Sequence, residues 1–326
     1  MNTTFPHLLI QHARSRPEDP ALREKEYGIW QSWSWKRALD EVRWLAAGLA
    51  SLGFAPGHNL AIVGDNRPHL YLMFLAVQSL RGVPVPMYQD AVAAEMAFVL
   101  QDAEVNYVFA ENQEQVDKML ELRASVPGLT HIIYDDPRGM RNYTDPGLIS
   151  VDELMALGRK HDELHPQLFE QRVAQGRPDD VAVILYTSGT TGRPKGVCQT
   201  HASFIGAAQG GVQTDGLSDS DNVLSYLPPA WVGDFLFSTA QWMVAGFTIN
   251  CPESAETVAI DMREIGPTYY FAPPRVFEGM LTSVSIRMED AARSKQWLHH
   301  KFMAVAQRVG ADILDGKPVP LDHRLM

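Results

Sequence analysis

Between Trp35 and Asp136 the apolar pattern alternates between helical spacing and short continuous runs, and that alternation leaves few folds open. WKRALDEVRWLAAGLASLGF sets Leu39, Val42, Leu45, Ala46, Leu49 and Leu52 on one helical face, with Gly53 placed to cap its C-terminus. NLAIVGDN then reads as a strand ending in turn residues, RPHLYLMFLAVQSLRG as a largely apolar helix, and VPVPM as a strand whose prolines confine it to an edge or an end. The order repeats through AAEMAFVLQDA (helix), VNYVFA (strand), EQVDKMLELRASV (helix) and THIIYDD (strand). Strands joined through helices pair in parallel, because each crossover must return the chain to the same end of the sheet. The expected fold class is therefore α/β, with parallel sheets covered by helices.

Asp136 to Asp179 is less regular and holds the turn-rich stretches PRGMRNYTDPG and GRPDD. A boundary near Pro178 is expected to divide the chain into a first α/β subdomain, residues 1–177, and a second, residues 178–326. Within this segment HDELH sets His161 and His165 on one helical face, but Asp162 stands where a helical zinc-protease motif requires Glu, so a solvated face is expected. Nearer the end, Met288, Ala292, Trp297, Phe302, Val305 and Val309 recur at near-helical spacing and predict one or two core-facing helices, with part of the apolar face left exposed.

Charge narrows the function classes. A net charge of -11 over 326 residues argues against a broad nucleic-acid or anionic-membrane surface, so any phosphate must be held locally. Cys198 and Cys251 are the two cysteines and have no paired spacing, which suggests neither a disulfide framework nor a zinc site. The N-terminus lacks a basic flank leading into an apolar signal core, and the richest apolar run, LYLMFLAV, is too short for an integral membrane segment. A cytoplasmic location is expected.

The local phosphate site is offered by VAVILYTSGTTGRPKGVCQTH, from Val181 to His201. Val181 to Tyr186 reads as a buried strand, and a glycine-rich loop starts where it ends, the position at which open α/β sheets bind ligands. Gly189, Gly192 and Gly196 let the backbone approach an anion closely, while Thr187, Ser188, Thr190 and Thr191 add hydroxyl donors and Lys195 a charge. A Walker loop would carry its lysine into the first turn of a helix. Here Lys195 follows Pro194 and leads into GVCQT, so the loop is expected to join strand to strand.

YTSGTTGRPKGV resembles the phosphate-binding signature of the AMP-forming adenylating superfamily, which includes acyl-CoA synthetases, luciferases and the adenylation domains of peptide synthetases. DNVLSYLPPAWVGDFLFS is similar to the segment in which long-chain acyl-CoA synthetases carry Leu-Pro-Leu-x-His and then an acidic residue. GPTYYFAPPRVFEGM resembles their Pro-Thr...Val-Pro-Arg-x-Trp-Glu stretch, matched by Pro267, Thr268, Pro274, Arg275, Phe277 and Glu278. The resemblance runs from near Phe5 to the last residue. It implies the layered N-terminal domain of an adenylate-forming enzyme and a two-step reaction. A fatty carboxylate attacks the α-phosphorus of ATP to give acyl-AMP and pyrophosphate, and coenzyme A then displaces AMP.

By this resemblance Lys195 and Thr190 are the catalytic residues. Thr187, Ser188, Gly189, Thr190, Thr191, Gly192, Lys195 and Gly196 bind ATP, Thr187 also serves Mg2+, and Trp231 and Asp234 border the acyl pocket. Trp231 stands where the family usually has His, Asp234 where Glu is common, and Pro229 replaces a usual Leu, which leaves an aryl, branched or amino acid open as the substrate. The family's adenine motif Tyr-Gly-x-Thr-Glu, its ribose-binding Asp and the C-terminal domain with the catalytic lysine come further downstream and have no counterpart in these residues. The expectation is an inactive front half of a ligase, cut short in its second subdomain. A non-catalytic ATP-binding or partner module is the other alternative.

Overall fold

A computed structural model describes residues 3–187 and 193–320. Eleven strands are present among them: β1 (Pro20–Glu26), β2 (Ile29–Ser34), β3 (Asn59–Val63), β4 (Val83–Met87), β5 (Val105–Ala110), β6 (His131–Tyr134), β7 (Leu148–Ser150), β8 (Val181–Thr187), β9 (Lys195–Thr200), β10 (Asn222–Leu224) and β11 (Thr248–Cys251). They form a five-stranded sheet in the order β4-β3-β5-β6-β7, a four-stranded sheet in the order β10-β11-β1-β2, and the pair β8-β9. Every pairing in the five-stranded sheet is parallel, as the alternating pattern requires for β3 to β6, and β7 extends the same order. The chain divides into two compact units, Met1–Tyr270 and Phe271–Met326, and both flanks of Pro178 lie in the first.

The helix Trp35–Ser51 starts at Ser34, whose side chain accepts the Arg37 N–H, and it buries Trp35, Ala38, Val42, Leu45, Ala46 and Leu49. Gly53 ends it with a φ of 90°, a conformation that glycine adopts without a Cβ penalty. VPVPM is an edge strand. Val83, Val85 and Met87 alternate with Pro84 and Pro86, so the residues lacking an N–H turn away from the single partner β3.

Three parts of this fold lie outside the sequence reading. The β1-β2 hairpin turns through Tyr27 and Gly28, both at positive φ, and β1 pairs in parallel with β11, more than 200 residues later. The irregular segment after Asp136 contains β7 and two helices, Val151–Leu164 and Leu168–Ala174. The first of these opens with a reciprocal capping box between Ser150 and Glu153. It carries His161 on its length and His165 at its C-cap, with their rings 4.6 Å apart.

In the second unit the predicted helical stretch forms two helices, Pro274–Glu289 and Arg293–Leu314. Of the named apolar positions Val309 is buried, whereas Trp297 is 65% exposed and Phe302 38%, so the exposed part of the face is larger than the expectation of core-facing helices allows. Among the described residues, no helix is long and apolar enough to cross a membrane.

Candidate functional site

β8 and β9 are antiparallel, with Thr187 opposite Lys195 and Tyr186 opposite Gly196. The phosphate-type loop therefore joins strand to strand, and its two feet sit side by side, since directly opposed residues hold their Cβ atoms about 5 Å apart. Thr187 and Lys195 are both exposed at this end of the hairpin. Ser188, Gly189, Thr190, Thr191 and Gly192 lie outside the described residues. After β9 the chain turns directly into the helix His201–Asp215, capped by Thr200, whose side chain accepts the Ser203 N–H.

Gly196 has a role that the sequence did not suggest. It is absent from the positive-φ glycines. Its constraint is space, because a Cβ there would lie 3.0 Å from both Ile184 and the Tyr186 ring. Tyr186 is held from outside the strand pair, donating its hydroxyl at 2.6 Å to Asp102 at the end of the helix Ala93–Asp102, so the ring cannot easily give way.

Beside the loop's feet lies a cavity of about 420 Å³, lined by Thr187 and Pro194 at one side and Ala230, Trp231 and Val232 at another. Between them its wall is mostly apolar, with Met87 from β4, Met96 and Val99 from the helix Ala93–Asp102, and Leu185 from β8, while Glu95 and the tyrosines Tyr88 and Tyr186 add polar groups. Thr187 and Trp231, separated by more than 40 residues, thus share one space. The lining from β4 and the 93–102 helix was not foreseen, because its residues read in sequence as ordinary core positions.

Asp234 is placed differently. It is 1% exposed and absent from the cavity's lining. Its carboxylate accepts hydrogen bonds from Tyr71, Ser225, Ser238 and Asn66. Burial pushes its pKa up to about 7, opposed by those four donors. His201, at the start of the helix that follows β9, is also buried. Its Nδ1 accepts the Phe5 backbone N–H at 3.3 Å, and desolvation brings its pKa down to about 4.

The chain matches the AMP-binding enzyme family over residues 9–317. It belongs to that family. Among curated relatives of this chain is the long-chain-fatty-acid–CoA ligase ACSBG2 of Xenopus laevis, 27% identical over 315 residues, covering 94% of this chain and 41% of the relative. The long-chain-fatty-acid–CoA ligase FadD15 of Mycobacterium bovis is 27% identical over 310 residues, covering 94% of this chain and 48% of its own length. The chain thus spans less than half of either relative. Its fold is shared with the anthranilate CoA ligase AuaEII, solved in complex with anthranoyl-AMP, at a TM-score of 0.71 and 19% identity over 83% of this chain and 50% of that one. The α/β architecture of adenylate-forming N-terminal domains is thereby established.

Proposed function

We propose that this chain is the front part of a ligase that activates a fatty carboxylic acid with ATP and passes the acyl group to coenzyme A in the cytoplasm. The observation that carries the proposal is the shared cavity: the feet of the glycine-rich loop and an apolar wall closed by Trp231 bound one space, as joining a phosphate to an apolar acid requires. In the first step a carboxylate oxygen forms a bond to the α-phosphorus of ATP, and the bond to pyrophosphate breaks. In the second the thiol of coenzyme A forms a bond to the acyl carbon, and AMP leaves. A carboxylate is a poor electrophile for a thiol, whereas the mixed anhydride has a good leaving group.

The roles follow from residue chemistry. Ser188, Gly189, Thr190 and Thr191 supply N–H and hydroxyl donors to the β- and γ-phosphates, and Gly192 and Gly196 admit the backbone to that contact. Lys195 neutralises charge as pyrophosphate departs, and the hydroxyl of Thr190 adds a donor. The hydroxyl of Thr187 suits Mg2+, a hard cation that prefers oxygen. Among the described residues, no group of three or more His, Cys, Asp or Glu could hold a metal, so Thr187 is the residue named for it. Bound there, Mg2+ supplies neutralisation of phosphate charge. Adenine, ribose and thiol recognition belong to the family's downstream motifs, and residues 1–326 alone are expected to show little or no complete ligase activity.

Calorimetric ATP binding by this chain and by Lys195→Ala tests the assignment. Losing a charged donor to phosphate costs roughly tenfold or more in affinity, and equal affinities would overturn the role of the loop. Acid-dependent ATP–pyrophosphate exchange across fatty and aromatic acids then addresses the substrate. Trp231 in the cavity wall, where the family usually has His, favours an aryl or branched acid as the second reading.

A further inference from the structure

Asp234 stands outside the cavity, yet the turn that walls the cavity hangs from it. Its Oδ1 accepts from Asn66 Nδ2 at 3.3 Å, Ser225 Oγ at 3.2 Å and Ser238 Oγ at 3.0 Å, and its Oδ2 from the Tyr71 hydroxyl at 3.2 Å. These donors come from four places in the chain: the turn after β3, the helix Pro68–Ser79, the residue after β10, and the π-helix Phe235–Ala240. They also bond among themselves, Asn66 donating to the Tyr71 hydroxyl at 2.7 Å and Ser225 pairing with Ser238 at 2.8 Å. A buried cluster of this kind specifies one geometry, because any displacement strands polar groups away from water.

The geometry is passed along the backbone. The Phe235 N–H donates to the Trp231 carbonyl at 3.2 Å, and the Trp231 N–H to the Pro228 carbonyl at 2.9 Å. The Phe235 ring is fixed among Phe5, Phe74 and Phe204, with centroids 5.9, 5.5 and 4.7 Å away. On the cavity side of the same turn the Trp231 indole folds over Gly233, where a Cβ would lie 2.3 Å from a ring carbon. The π-helix that follows supplies Ser238, and such insertions recur at functional sites because they redirect side chains without breaking the helix.

We infer that Asp234 is a positioning residue: its buried hydrogen-bond cluster fixes where the Trp231 indole stands in the cavity wall and so sets the space open to the acyl group. The inference rests on the cavity being the acyl site.

Fluorine NMR of the chain labelled with 5-fluorotryptophan tests it, with the Trp231 line identified by its loss in Trp231→Phe. Asp234→Ala moves or splits the Trp231 line and leaves in place those of Trp30, bonded to Glu264, and Trp44, under Arg159, and Asp234→Asn, which keeps an acceptor oxygen, largely restores it. An unmoved Trp231 line would overturn the inference, as would a common shift of all tryptophan lines, the sign of general loosening. Should Asp234→Ala not fold, Ser238→Ala removes one donor with the carboxylate in place. The Trp231 line then moves alone by a smaller amount, and its failure to move overturns the inference. Titration of the unsubstituted chain with dodecanoate reads the acyl assignment separately. A Trp231 line that answers to Asp234→Ala but not to dodecanoate would overturn that assignment and leave the positioning role standing.

Discussion

His201 is a residue whose surroundings, not its place in a motif, set its behaviour. It follows the glycine-rich hairpin immediately, but its ring is 3% exposed, packs edge-on to Phe5 at 5.2 Å and accepts the Phe5 N–H. Its folded pKa of about 4 lies below its ordinary value of 6.5 because burial penalises the charged ring. Between those values the unfolded chain binds the extra proton, so the contribution of His201 to stability is complete above pH 6.5 and is lost as the pH falls to about 4. The shift corresponds to about 3 kcal/mol. His201→Gln, which keeps an acceptor but does not titrate, is expected to be less stable than the parent at pH 7 and to close most of that gap by pH 4. Urea unfolding at both pH values checks this, and a pH-independent gap would refute it. The motif marked Lys195 from sequence, whereas nothing in QTHASF distinguishes a buried His201 from a solvated one.

Two helices show how little tolerance the packing leaves. Trp35–Ser51 and Val151–Leu164 approach through Gly48 and Gly158. A Cβ on Gly158 would lie 1.8 Å from the Trp44 carbonyl oxygen, and one on Gly48 would lie 2.4 Å from the Leu154 carbonyl oxygen. Neither obstacle is a side chain that can rotate away. Gly158→Ala is therefore expected to destabilise the chain by about 1–3 kcal/mol, although alanine is the better helix former in an exposed position. Thermal unfolding should show a lower midpoint, and an unchanged or raised one would mean that the helices separate at no cost. The apolar periodicity of the first helix was legible in sequence, but a glycine inside either helix gave no sign of what it faced.

Arg67 joins the two larger sheets. It donates to Glu111 at the end of β5 at 2.9 Å, and to the Pro252 and Glu253 carbonyls after β11 at 2.9 and 3.0 Å. The second unit presents apolar side chains to solvent, with Trp297 65%, Leu298 43% and Leu281 57% exposed. Large apolar side chains exposed in this number favour association. The chain is expected to self-associate as its concentration rises, and Trp297→Glu to reduce that association by severalfold. Sedimentation velocity over a range of concentrations decides, and a chain that stays monomeric throughout would count against an accessible face.

Sequence by itself determined four parallel strands of the five-stranded sheet, the place of VPVPM at an edge or an end, and the strand–loop–strand form of YTSGTTGRPKGV. Each follows from local rules: period, the missing N–H of proline, and a lysine set behind a proline. Only the tertiary structure decided which residues share a space. The pairing of β1 with β11, the cavity between Thr187 and Trp231, and the withdrawal of Asp234 from that cavity into a cluster with Asn66, Tyr71, Ser225 and Ser238 join segments far apart in the chain. No local pattern encodes such contacts, because they are selected by how whole elements bury apolar area together and by the need to pair every polar group left inside.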